Sequence, residues 1–138
     1  MNSSTLCLVV LMLAGCKTYY ITPASLHEQL LSTTPARTEM ISPFVFHVTY
    51  QAVQLSTIQC TDKAGTKMEL PVAPNIEMRV TLNTGKRRTM YFDRTELRGD
   101  TLIGHPSWII PNMVYRIPFS AITKVEVQNG GKRLSYAR

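Results

Sequence analysis

A change of hydrophobic period constrains this chain most. Residues Ile76–Leu82 read Ile-Glu-Met-Arg-Val-Thr-Leu, apolar at every even position and polar at every odd one. A period of two sends successive side chains to opposite faces of an extended strand, so one face is buried and the other solvated. Asn83-Thr84-Gly85-Lys86 follows; Asn and Gly tolerate the positive φ of a hairpin turn, so the chain returns through residues 87–92. The same alternation runs through Phe44, Phe46, Val48 and Tyr50, through Ile58 and Cys60 ahead of the turn Asp62-Lys63-Ala64-Gly65, and through Met68, Leu70 and Val72. Residues 96–98, the turn Gly99-Asp100 and residues 101–103 predict a further hairpin. Residues 123–128 alternate through Val125 and Val127, and Asn129-Gly130-Gly131 turns the chain into a last short strand at 133–136.

Short strands at roughly 8–12-residue spacing predict a mainly β domain, a small antiparallel barrel or sandwich. Eight Pro and seven Gly among 138 residues argue against a helical bundle. With 44 % hydrophobic and 17 % charged residues the chain can bury one core and is not disordered by composition. One short helix stands ahead of the strands. Thr22 caps it, Pro23 suits its first position, and Leu26, Leu30 and Leu31 form its apolar stripe. Residues 32–43, with Thr33, Thr34, Pro35 and Pro43, read as a connector, so that helix and connector either hold the domain off a surface or dock the helix on the sheet.

The segment Ile117-Pro118-Phe119-Ser120-Ala121-Ile122-Thr123-Lys124-Val125-Glu126-Val127 is similar to the close of SH3-like and Sm-like barrels, where a strand, one 3₁₀ turn and a final strand seal the fold. At the other end, residues 6–13 are an unbroken apolar run, followed by Leu13-Ala14-Gly15-Cys16. About eight apolar residues suit a secretory signal and are far short of the roughly 20 that span a bilayer. The tetrapeptide resembles the lipobox of bacterial lipoproteins. With Val80-Thr81-Leu82-Asn83-Thr84-Gly85 and Gly99-Asp100-Thr101-Leu102-Ile103-Gly104, it is also similar to a group of small Gram-negative lipoproteins to which no activity is assigned. The resemblance implies a diacylglycerol on the Cys16 thiol, cleavage before Cys16, and acylation of the new amino group by a chain such as palmitate. Residues 1–5 carry no Lys or Arg, unlike the usual start of a signal peptide.

The implied plan is a signal peptide at 1–15, a lipid anchor, helix and connector at 16–43, and a β domain at 44–138. Lys17 stands where Asp retains well-studied lipoproteins in the inner membrane, which implies sorting to the outer membrane. The absence of an acidic run near the anchor implies its periplasmic face. Tyr19 and Tyr20 either sit at headgroup level or pack on the domain. Of three cysteines, Cys7 leaves with the signal and Cys16 is acylated, so Cys60 is the one free thiol.

Chemistry is sparse. Gly-x-Ser-x-Gly is absent, and His27, His47 and His105 form no close pair of metal ligands. Cys60 beside Ile58 reads as a small core residue; a less favoured alternative is an envelope enzyme using Cys60 or His47. Asp93, Glu96 and Asp100 interleave with Arg94 and Arg98 and read as turn residues with surface ion pairs; His105 reads as a solvated loop residue. The formal charge of +6 survives cleavage and permits anionic partners. Arg79, Lys86, Arg87, Arg88, Arg94 and Arg98 could form a basic face, with Tyr91 beside Arg87 and Arg88 as a stacking surface for nucleic acid, anionic lipid or acidic glycan. Nucleic acid recedes for a chain tethered outside the cytoplasm. Trp108, Ile109 and Ile110 open an apolar stretch that runs to Tyr115, either a partner contact or a plug for the barrel end. The expected function is a non-enzymatic binding or scaffolding lipoprotein that needs no cofactor or metal, held by its lipid and contacting an envelope protein or anionic envelope component.

Overall fold

A computed structural model of the chain describes residues 17–42, 47–107, 110, 112–130 and 134–137. In order they form β1 (Thr18–Ile21), α1 (Pro23–Leu31), β2 (Ala36–Ile41), β3 (His47–Ala52), β4 (Thr57–Thr61), β5 (Lys67–Pro71), β6 (Ile76–Leu82) and β7 (Arg87–Tyr91). A 3₁₀ turn at Phe92–Arg94 leads to β8 (Glu96–Arg98), β9 (Thr101–Gly104) and β10 (Tyr115–Pro118); a second at Phe119–Ala121 leads to β11 (Ile122–Asn129) and β12 (Ser135–Tyr136). Strand makes up 53 % and helix 14 % of the described residues, so the fold is mainly β.

Six strands in the order β5-β4-β1-β11-β6-β7 make one antiparallel sheet, and β10-β9-β8 and β12-β2-β3 make two smaller ones. β6 behaves as its alternation predicts, with Ile76, Met78 and Val80 buried and the odd positions half-exposed. The register sets Val125 of β11 opposite Val80, and sets Met78 between Val127 of β11 and Met90 of β7, giving a continuous apolar row. Leu102 and Ile117 of the β8–β10 sheet enter the same core, as do Phe92 and, from α1, Leu26 and Leu30. The β6–β7 turn holds Gly85 at φ 86°, a conformation that glycine adopts without strain. Thr22 caps α1 by accepting from the Ser25 N–H at 3.1 Å.

Four expectations need correction. Residues 32–43 are not a plain connector, because 36–41 form β2, which pairs with β3 along its full length and with β12. The helix takes the second of its two expected placements and docks on the sheet, with Leu26 and Leu30 in the core, but Leu31, at 63 % exposure, is outside the apolar stripe assigned to it. No barrel closes among the described residues: β5 and β7 end the six-stranded sheet without pairing to each other. Only Ser135–Tyr136 of the final strand lies within the described residues as strand. The run at 6–13, Cys16, Phe44, Phe46, Trp108 and Ile109 lie outside the described residues.

Candidate functional site

The two residues offered for catalysis are far apart in character. Cys60 is buried in β4, and its thiol donates to the Met68 carbonyl at 3.7 Å. Burial pushes that thiol upward from its ordinary range, away from the thiolate that nucleophilic attack requires. His47 is exposed on β3 and paired with Glu39 across the β2–β3 ladder. No hydrogen bond joins either residue to the other, and no group of three His, Cys, Asp or Glu among the described residues could hold a metal ion.

The arginines do not share one face. Arg79 is opposite Glu126 on the half-exposed side of the six-stranded sheet. Arg87 and Arg88 are successive strand residues, so they point to opposite faces; Arg88 sits over the Tyr115 ring, 5.5 Å from its centroid. Arg94 is half-buried, donating to the Ser107 carbonyl at 2.6 Å and lying over the Tyr50 ring, while Arg98 pairs with Glu96 at 3.2 Å. Tyr91, proposed for stacking, is 5 % exposed and belongs to the interior. Ile110 and Met113 are exposed, so those two residues plug nothing.

Sequence reasoning also misplaced Asp93. It is fully buried in the 3₁₀ turn after β7, not a surface turn residue. Tyr50 of β3 and Tyr136 of β12 both donate their hydroxyls to Oδ2, the latter at 2.8 Å, while Oδ1 is buried without a partner. The Asp93 carbonyl also accepts from the Val53 N–H at 2.8 Å. Burial raises the carboxyl to about 6, against the lowering effect of the two tyrosine bonds and of Arg94. Both tyrosines are pushed upward in turn, by burial first and by the Asp93 charge second. Since Tyr50 and Tyr136 lie 43 residues on either side of Asp93, no local spacing announces the cluster. Its role in the fold is to bolt the β12-β2-β3 sheet to the main body. His105, expected as a solvated loop residue, is instead half-buried with Nδ1 enclosed and unpartnered, and that burial lowers its affinity for a proton.

One concave feature among the described residues is a cleft of about 490 Å³ where β1 ends and the chain turns into α1. β4 pairs with β1 only at Tyr20 and Thr61, so beyond Ile21 a gap opens between β4 and β11. Gln59, Cys60 and Thr61 line one side, Thr123 and Lys124 the other, and Lys67 the rim. Gln29 of α1 covers part of the free strand edge: its side-chain amide accepts from the Gln59 N–H and donates to the Gln59 carbonyl, each at 2.9 Å.

The end of the sheet where β1 begins is the part of the described structure nearest in sequence to Cys16. Lys17 is exposed and is the single residue between Cys16 and β1. Comparison with protein-family models, with curated proteins and with solved structures finds no match for the chain.

Proposed function

We propose that this chain is a lipid-anchored protein of the bacterial cell envelope, carried by Cys16 on the periplasmic side of the outer membrane, and that its β domain is a non-enzymatic binding or scaffolding module. The observation that carries the reading is the position of Leu13-Ala14-Gly15-Cys16. It follows directly on the apolar run at 6–13, where a secretory signal places its cleavage site. β10, the 3₁₀ turn at Phe119–Ala121 and β11 follow the order of the closing elements of SH3-like and Sm-like folds, and we assign the domain to that kind of fold on this order.

Two features favour binding over catalysis. The Cys60 thiol is buried and raised, and His47 is an exposed residue engaged with Glu39. For the partner contact we retain the stretch opened by Trp108 and Ile109, whose neighbours Ile110 and Met113 present apolar surface to solvent. The test is metabolic labelling of the full chain in a Gram-negative host with a clickable palmitate analogue. Wild type incorporates the label and fractionates with membranes, and Cys16→Ala loses both properties. Continued labelling of Cys16→Ala overturns the assignment.

A further inference from the structure

We propose that the end of the six-stranded sheet where β1 begins is a docking surface for anionic phospholipid headgroups, with Lys17, Lys63 and Lys67 as its contacting cations. The proposal rests on the reading of Cys16 as the acylated residue. It adds which face of the domain meets the membrane and which groups make the contact.

The argument starts from reach. A single residue, Lys17, separates Cys16 from the first strand, so two peptide steps of at most about 3.6 Å each join the lipid-bearing residue to the sheet. There is no tether on which the domain could float free. Strand register then shows what else lies at this end. Tyr20 pairs with Thr61 and Thr61 with Lys67, so the β4–β5 turn, residues 62–66, projects beside the start of β1. On the other flank β11 ends at Asn129 opposite Ile76, and the Asn75 amide donates to the Asn129 side chain at 2.9 Å.

Charge complements this placement. Lys17, Lys63 and Lys67 are all exposed. The carboxylate in the same turn, Asp62, accepts from the N–H groups of Ala64 and Thr66, each at 2.9 Å, and so is turned into its own loop. Glu77, on the first rungs of β6, is half-buried between Gln128 and Tyr91. Cations held at the surface of a membrane are attracted by anionic lipids within about a Debye length, roughly 8–10 Å. By contrast β6 spans seven residues, so at about 3.3 Å each its far turn, residues 83–86, stands roughly 23 Å away. Lys86 and Arg87 therefore stand at the opposite end of the sheet from the start of β1, and the proposed contact falls to Lys17, Lys63 and Lys67.

The test uses the acylated full chain reconstituted into vesicles of phosphatidylethanolamine with or without one quarter phosphatidylglycerol. A fluorophore is placed on Ala64→Cys or on Thr84→Cys, and quenching by a headgroup-labelled lipid is read. The expected result is at least fivefold stronger quenching at 64 than at 84 in the anionic vesicles. Lys63→Glu with Lys67→Glu should reduce the signal at 64 several-fold while flotation with the vesicles stays unchanged. Equal quenching at the two positions, or indifference to phosphatidylglycerol and to both lysines, overturns the docking surface and leaves the anchor standing. Failure of the unmutated chain to float with vesicles overturns the anchor and the docking surface together.

Discussion

Asp93 sets the chemistry of a single residue against the stability of the fold. Burial destabilises its carboxylate more than the hydroxyls of Tyr50 and Tyr136 stabilise it, so the folded protein holds this proton up to about pH 6. A carboxyl raised on folding contributes stability that is complete below its ordinary value and is lost as pH rises through about 6. The wild type should therefore lose stability relative to Asp93→Asn between pH 4 and pH 7, by roughly 3 kcal/mol at full extent. Parallel thermal melts of the two proteins across that window check this, and a difference that does not change with pH contradicts it. The Asn amide keeps one oxygen to accept from the tyrosines, which makes it a fair comparison.

At the scale of elements, Gln29 does the work of a missing strand. Its amide makes both bonds that a neighbouring strand would make to Gln59, closing the ladder where β1 has left it. Gln29→Ala should cost about 1–2 kcal/mol, since both bonds to Gln59 and the one to the Ser25 hydroxyl go; Gln29→Glu keeps the acceptor and should cost less. Chemical denaturation of both variants measures the pair. The same scale shows what the sequence made legible. α1 was readable because a Thr cap, a Pro and a helical Leu spacing agree, and β6 because three buried residues alternate without interruption. β2 was not: of Ala-Arg-Thr-Glu-Met-Ile only Met40 is buried, so no apolar face marks it, and its extended form comes from pairing with β3 and β12. β1 has four residues, too few to display a period. Asp93 was misread for a related reason, because its acidic character and flanking Arg94 describe its neighbours in sequence, whereas its burial is decided by two distant tyrosines.

For the whole molecule, the shortness of Lys17 is the testable quantity. A flexible Gly/Ser segment of 12 residues inserted between Lys17 and Thr18 adds a mean span of about 19 Å. The inserted chain should still melt as wild type does, because β1 keeps its pairing with β11, yet the headgroup quenching at position 64 should fall. Unchanged quenching would mean that the domain finds the membrane without help from its attachment. One consequence of the sheet order concerns time. β1 is the first described strand in the chain, yet its partner along every residue is β11, with Thr18 facing Gln128. The first described strand thus waits for nearly the last before its hydrogen bonds close, and the gap between β4 and β11 stays open meanwhile. The main sheet of such a chain knits together only once both of its ends are free to meet.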